Sequence, residues 1–439
     1  MPEYLAPGVF IEEIKHGPRP IEGVSTSTAA FLGETERGTT RPKLVTSYNE
    51  YSRHFGSVFA DGKYMPDALS GFFKNGGRRA YVCRITGAGA LTASRDVGGL
   101  TIEAIGPGDW GNRLFVRIVG SSMTAGLAQT PIGFRLQVAY WQSDEPGCEF
   151  TDPFDPAQAR AVPQPTLTED FDDLVFDNPA SPDYFTKRLE DNSALLKVSL
   201  TDDIPLTALP EAGFAALTNG ADGAAPTVVD FKGENTDSDL RSGLSALDLD
   251  ECREVALVTA PAAADDVVGE IRTHCENNKF RFAVIDCDAN AADAGSIDPR
   301  AAWDSSHAAF YYPWVYTADL QSGARRLVPP SGLVLGLYAR TDSERGVWKA
   351  PANDILRGVI DLEYHVNSGM QEVLNPRGVN AIRRFPGAAF GCGELARSPA
   401  IRSGSMSASG GCSSSWNARS TKARNGSRSN RMTSACGRG

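Results

Sequence analysis

The sequence predicts an α/β protein whose core is discontinuous, interrupted by an inserted β-rich outer domain and preceded by an extended arm. Three observations predict it. The runs Ala29-Ala30-Phe31-Leu32, Val255-Ala256-Leu257-Val258 and Phe282-Ala283-Val284-Ile285 are short and fully apolar, as strands buried on both faces are. Between the last two, Val267, Val268, Ile271 and Cys275 recur at helical spacing, and a strand–helix–strand unit implies parallel pairing with a right-handed crossover. In between lies a stretch of alternation: Phe134, Leu136, Val138 and Tyr140 are interleaved with Arg135, Gln137 and Ala139, the pattern of a half-buried strand.

Residues 1–20 read as the arm. Pro7, Gly8, Val9, Phe10 and Ile11 form a short run that Gly17-Pro18-Arg19-Pro20 closes. A lone strand flanked by proline cannot bury both faces locally and needs a sheet edge, in its own chain or a neighbour's; an ordinary first strand is the alternative. Residues 21–90 form the first part of the core. Leu44-Val45 begins a strand, and Ser47 with Glu50 is a capping box for a helix to about His54. Met65-Pro66 opens a second helix, with Leu69, Phe72 and Phe73 on one face and Asn75-Gly76-Gly77 as its stop. Tyr81 to Ile85 is then a strand.

Residues 98–225 read as the insertion. Leu100 to Ala104 and Leu114 to Ile118 are strands around a glycine-rich turn, Gly106 to Asn112, which lacks the Lys-Ser/Thr and following helix of a phosphate loop. Residues 151–190 are polar and proline-rich and read as surface decoration; Leu195 to Val198 is a last strand. Residues 226–387 resume the core. Ala264 to Asn277 is a helix, Ala308 to Tyr316 an extended run, and Pro329-Pro330-Ser331 starts a helix ending near Arg340 to Asp342. Part of Ile360 to Val373 is expected to be helical.

The 439 residues suffice for two or three domains, and 41% apolar content suits a packed globular chain. No window supplies about 20 apolar residues in a row, so no membrane-spanning helix is expected, and the N-terminus lacks the pattern of a secretion signal. The net charge of −11 hides a split: residues 388–439 hold eight basic residues and one acid, Glu394, a net +7, which leaves −18 for the first 387. An acidic body argues against nucleic-acid binding. Of the eight cysteines, Cys83, Cys148, Cys252, Cys275 and Cys287 are scattered without CxxC spacing and read as buried free thiols. The five histidines, His16, His54, His274, His307 and His365, sit in no context of a catalytic base, and no metal-ligand spacing occurs.

Four words between Leu327 and Gly387 carry a resemblance: Pro329-Pro330-Ser331-Gly332, Tyr338-Ala339-Arg340-Thr341-Asp342, Gly346-Val347-Trp348-Lys349-Ala350-Pro351-Ala352-Asn353 and Gly378-Val379-Asn380-Ala381-Ile382-Arg383. In this order and spacing they resemble the contractile phage tail sheath family of myovirus tails, R-type bacteriocins and related contractile injection systems. Tyr311-Tyr312-Pro313-Trp314 and the run from Phe72 to Ile85 add to it. The resemblance implies a subtilisin-like but non-catalytic core and a structural subunit without cofactor or metal. It implies a homo-oligomer, a helical sheath around an inner tail tube, with baseplate and terminator proteins as further partners. It also implies cytoplasmic assembly, and then a place in a virion tail or an extracellular particle. Contraction would drive the tube through a target envelope. The words themselves (Pro329, Pro330, Gly332, Tyr338, Arg340, Asp342, Trp348, Pro351, Asn353, Asn380, Arg383) are the family motif, and Pro7 to Ile11 would exchange with a neighbour. Arg325, Arg326, Arg345 and Lys349 are candidate tube-facing cations. A tail tube, baseplate or capsid protein is the alternative. A serine hydrolase would need Asp, His and Ser in one constellation, and the nearest nucleophile-like string is Gly404-Ser405-Met406-Ser407-Ala408.

After Gly387 the texture breaks. Residues 388–439 contain 12 serines and eight glycines with almost no apolar periodicity, so composition alone reads as a disordered basic tail. The family continues this motif with a run like RGIRVWGARTL. One nucleotide string can encode both that run and Ala388 to Ser398 in neighbouring frames, and Gly410 to Ser415 can likewise shift into an apolar segment. A frameshift after Gly387 is the expectation, with a genuine serine-rich tail as the alternative.

Overall fold

The computed structural model describes residues 27–126, 130–142, 150–190, 192–206, 208–234, 241–346, 349, 351–385 and 390–392. The expected arm lies outside the described residues. The first part of the core runs β1 (Ala29–Gly33), β2 (Lys43–Val45), α1 (Tyr48–Phe55), α2 (Met65–Lys74) and β3 (Ala80–Arg84). Ser47 caps α1 by accepting from the Glu50 amide, while the Glu50 carboxylate reaches back to Thr46 rather than to Ser47. The chain then leaves for β4 (Ser94–Val97), β5 (Leu100–Ala104), β6 (Leu114–Gly120), β7 (Thr124–Ala125), β8 (Thr130–Pro131), β9 (Phe134–Tyr140), β10 (Leu167–Leu174), α3 (Phe185–Leu189), β11 (Leu196–Leu200) and β12 (Ala212–Ala216). It returns through α4 (Val228–Lys232), α5 (Gly243–Ala246), β13 (Leu257–Thr259), α6 (Asp265–Asn278), β14 (Phe282–Asp286), α7 (Pro299–Ala302), β15 (Ala308–Tyr312), β16 (Val315–Ala318), β17 (Arg325–Val328), α8 (Ser331–Glu344), β18 (Asp361–Leu362), α9 (Ser368–Leu374), β19 (Val379–Arg384) and β20 (Phe390–Cys392).

The main sheet has the order β2-β3-β1-β13-β14-β15-β19-β20. The six inner strands are parallel, and an antiparallel strand closes each edge. Alternate side chains of one strand go to opposite layers. Ala29 and Phe31 join Phe72, Val334 and Tyr338 on one face, while Ala30 and Leu32 join Val267, Ile271 and Cys275 on the other. The small sheet β17-β16-β18 closes the first of these layers with Val315, Val328 and Leu362.

Helix α8 lies inside the molecule. Every residue from Ser331 to Ala339 is buried, so its apolar residues cover the whole circumference rather than one stripe. It lies against β13 and β14 and crosses α2. A Cβ at Gly332 would stand 2.3 Å from the Ala68 carbonyl oxygen, one at Gly336 2.4 Å from that of Phe72, and one at Gly71 2.9 Å from Leu333. The two backbones touch, and only hydrogen side chains fit between them.

The inserted strands form three sheets, the small pair β7-β8 and the larger β10-β9-β6-β12 and β11-β5-β4, with a separate apolar cluster that includes Trp110, Phe134, Tyr140 and Phe185. The passes that enter and leave it are zipped together where Leu91 and Ala221 exchange backbone bonds of 2.9 and 3.0 Å. A buried polar network then fixes it to the core. The Glu36 carboxylate accepts from Arg37 Nη1 at 2.9 Å, the Ser57 amide at 3.0 Å, Gln142 Nε2 at 3.1 Å and the Tyr140 hydroxyl. The Arg37 guanidinium lies 4.7 Å from the Tyr140 ring centre and donates to the Ser52 carbonyl. Burial, followed by the Glu36 charge, pushes the Tyr140 phenol well above its ordinary value.

Three expectations are corrected. Residues 151–190 are not decoration: Leu167–Leu174 is strand β10, and Phe185 and Leu174 are fully buried. The polar string hides this because Glu169 is itself buried, accepting from Ser193 Oγ at 2.6 Å and the Ala194 amide at 2.8 Å. The Gly106-to-Asn112 turn contains a 3-10 helix at Asp109–Arg113, and β12 appears where no strand was expected. The boundary at Gly387 also moves. Phe390–Cys392, assigned to the segment outside the core, is edge strand β20, with Phe390 and Cys392 buried. Residues 393–439 lie outside the described residues.

Two tests follow from these contacts. Gly332→Ala should cost more than about 2 kcal/mol through a backbone clash, whereas Gly269→Ala, with nothing within 4 Å, should gain about 0.5 kcal/mol. Equal effects in urea unfolding would reject the close crossing. Glu36→Ala leaves a buried guanidinium without its carboxylate and should cost about 3–5 kcal/mol; Tyr140→Phe removes one of four donors and should cost about 1 kcal/mol. Unfolding midpoints unchanged in both variants would show that the network holds nothing.

Candidate assembly surface

The motif words gather in one place, the α8–β19–β20 end of the main sheet, and most act as joints. Pro329 and Pro330 are buried and lead into α8, where Gly332 meets α2. The Tyr338 hydroxyl lies 3.0 Å from that of Tyr311 on β15. Arg340 Nη2 donates to the Ile355 carbonyl at 2.6 Å, and Asp342 is buried in the last turn. Pro351 is buried, and Asn353, with φ at 60°, donates its amide to the Cys392 carbonyl at 2.8 Å. The Leu356 amide adds a second bond to Phe390, so residues 353–356 line the far side of β20. Asn380 Nδ2 donates to the Phe310 carbonyl at 3.1 Å, tying β19 to β15, and Arg383 donates to Gln371 Oε1 at 2.9 Å. Val347, Trp348 and Ala350 lie outside the described residues.

The four candidate cations do not share one fate. Arg326 is mostly buried and forms ion pairs with Asp67 and Asp319, both at 3.4 Å. Arg325 stacks on Tyr316 at 3.6 Å and pairs with Asp361 at 3.1 Å, with half of its side chain exposed. Arg345 is exposed just past the end of α8, and Lys349 is half-buried four residues on. Arg326 is thus committed inside the subunit and Arg325 is exposed but paired, and sequence spacing alone could not separate them from the exposed Arg345.

One polar feature escaped the sequence reading. Asp286, at the end of β14, receives the Ser331 amide and hydroxyl, both at 2.7 Å, and the Ala262 amide at 3.2 Å. It caps the buried helix and binds the loops after β13 and β14 together. Its burial pushes the carboxyl up to about 6 in spite of these donors. Ser331 is fully buried and its hydroxyl is committed to Asp286, so no substrate can reach it. The described cysteines, Cys83, Cys252, Cys275, Cys287 and Cys392, are buried free thiols. A cleft of about 880 Å³ separates core and insertion, lined by paired charges such as Lys63 with Glu34. Among the described residues no cluster could hold a metal ion, and no helix is long and apolar enough to cross a membrane.

Asp286 gives a pH test. Its folded pKa lies above the unfolded value, so the fold binds this proton more tightly; the stability it contributes is full below about 4 and is lost as pH rises through about 6. The stability advantage of the unsubstituted chain over Asp286→Asn should therefore grow by about 2 kcal/mol between pH 7.5 and 4.5. A constant difference in urea unfolding would refute this.

Residues 233–390 match the model of the phage tail sheath protein central domain. The sheath tail protein of Desulfitobacterium hafniense has the same fold, with a TM-score of 0.54 at 13% identity, over 97% of this chain and 83% of that one. For the sheath tail protein of Listeria innocua the TM-score is 0.50 at 11% identity, over 84% and 68%. The sheath of an extracellular contractile injection system in its contracted state gives 0.49 at 15%, over 100% and 78%. No curated protein matches the chain. The matched segment, residues 233–390, is the part of the chain that holds α8 and β19, and it is similar to the phage tail sheath protein central domain.

Proposed function

We propose that this chain is the structural subunit of a contractile tail sheath, polymerising helically around an inner tube and contracting to drive it through a target envelope. The observation that carries the proposal is the match of residues 233–390 to the sheath central domain, in which motif residues such as Tyr338, Ala339 and Ile382 share one packed core. Heterologous contacts that do not close a ring generate such a sleeve. The tube, the baseplate and the terminator are its partners, assembly takes place in the cytoplasm, and the finished particle is a virion tail or an extracellular device. The role is structural and non-catalytic.

Within this reading, residues 21–90 and 226–387 are the core and 98–225 the outer domain. The separate apolar clusters support that division. The subtilisin-like description of the core comes from the family resemblance, and the parallel main sheet with helices packed on it supports it. Residues 1–20 exchange with the sheet edge of a neighbour. Arg345 and Lys349 face the tube. The frameshift after Gly387 deprives the chain of the segment that would complete the other half of this exchange; resequencing the junction tests it directly.

Assembly on purified tubes tests the whole reading by electron microscopy. A frame-restored chain should form long sleeves, and the present chain few or none. Arg345→Glu with Lys349→Glu in the restored chain should abolish attachment to the tube. Equal decoration by the restored and present chains would remove the frameshift, and unchanged attachment would remove the tube-facing role. No sleeve from the restored chain would overturn the sheath function.

A further inference from the structure

The cleft between core and insertion holds two charges that its own walls leave unanswered. Its volume of about 880 Å³ lies in the range of small-molecule sites at domain boundaries, far above the roughly 30 Å³ that one water takes up. Most charges on its walls are neutralised in place. Lys63 pairs with Glu34, Arg113 with Asp109 at 3.5 Å, and Glu36 with Arg37 at 2.9 Å. Arg84 and Asp222 also line the cleft, and among the described residues neither forms an ion pair.

Arg84 stands at the end of β3 and is only 4% exposed. Its Nη1 donates to the Gly38 carbonyl at 2.9 Å and to the Pro107 carbonyl at 2.6 Å, and its Nε is buried without a partner. Nη2 makes no hydrogen bond among the described residues and is not buried as Nε is, so it is the nitrogen open to the cleft. Burial pulls the Arg84 pKa down to about 10, and the charge of Asp222, then that of Glu34, acts against the fall. A guanidinium taken out of water without a carboxylate is costly, and an arriving carboxylate recovers part of that cost.

Asp222 lies on the exposed pass that leaves the insertion, and its Oδ1 accepts the Asp109 amide at 2.8 Å. Arg84 and Asp222 therefore end on the same turn, one at Pro107 and the other at Asp109, near each other but too far apart to pair. Trp110 Nε1 holds this turn by a bond of 3.1 Å to the Pro107 carbonyl. The passes that carry the two residues are joined where the Ala224 amide meets the Ala88 carbonyl at 3.0 Å. Both charges thus have fixed positions before anything binds. Thr35, Thr86, Gln142 and Gln321 add hydrogen-bonding groups to the walls.

A simple anion would be repelled by Asp222, and a simple cation by Arg84. We infer that the cleft binds a small zwitterion of the α-amino acid class, its carboxylate on Arg84 Nη2 and its ammonium on the carboxylate of Asp222. Arg84 belongs to the core and Asp222 to the insertion, so the ligand bridges the two and stabilises their junction as its concentration rises. The site stands independently of the sheath reading.

Isothermal titration calorimetry of the full chain tests it, with glycine, L-serine and L-glutamine as probes and acetate and ethylammonium as the two half-ligands. Each amino acid should give a saturable heat and raise the thermal unfolding midpoint with concentration. Either half-ligand should bind at least about tenfold more weakly than glycine. Asp222→Asn keeps an acceptor for the Asp109 amide and removes the charge. It should weaken glycine at least about tenfold and abolish the preference for glycine over acetate. Arg84→Gln should weaken glycine and acetate alike; if it fails to fold by circular dichroism, Asp222→Asn decides alone. No saturable heat with any of the three amino acids, acetate binding as tightly as glycine, or glycine binding unchanged in Asp222→Asn would each overturn the inference.

Discussion

The architecture depends on bringing α2 and α8 into backbone contact. A helix buried on all sides has room for few side chains larger than its neighbours allow, and α8 resolves this with Gly332 and Gly336 one turn apart against Ala68 and Phe72. Once the helices touch, Val334, Leu337 and Tyr338 reach the sheet, and Phe31, Phe282 and Tyr311 close over them. The arrangement also buries the start of α8, whose amides have no solvent to meet. Asp286 answers for Ser331, which is why a carboxylate stands at the end of a strand that is otherwise apolar.

That constraint explains the family motif better than any surface role does. Pro330 sets the first turn of α8, Gly332 allows the crossing, Tyr338 meets Tyr311, and Asn380 and Arg383 lock β19 into the same corner. Motif residues of a structural protein need not mark the contacts between copies. Here they mark the part of the subunit that must be built correctly before any outer surface has a fixed position. The exposed charges, which the motif mostly leaves out, are the groups available for recognition.

The sequence made the core legible where period and punctuation agree. The apolar runs became β1, β13 and β14, the double proline became the start of α8, and Ser47 became a cap. It failed where polar residues are buried by partners distant in sequence. Glu169 disguised β10 because its partners, Ser193 and Ala194, come from another strand's approach. Arg326 looked like a surface cation because Asp67, its partner, is on α2. Strand β20 was hidden because only three residues of it, Phe390, Gly391 and Cys392, carry the pairing, and Gly391 is needed where residue Asp354 approaches a Cβ position to 2.3 Å.

Under the proposed sheath function, the polar joints bear on where contraction energy would reside. Within one copy the outer strands are tied to the core by the Glu36–Arg37–Tyr140 network, by Arg84, which donates to the Pro107 carbonyl at 2.6 Å, and by the ion pair of Arg53 with Glu169. Moving one against the other would strip a buried carboxylate and a buried guanidinium of their partners, at about 3–5 kcal/mol for such a pair. Contacts between copies made by exposed charges exchange far more cheaply, since solvent screens each state. A subunit with stiff internal joints and weak polar faces therefore relocates strain to its boundaries. In a sheath built from it, extended and contracted states would differ in which faces of neighbouring copies meet, with the subunit itself carried through unchanged.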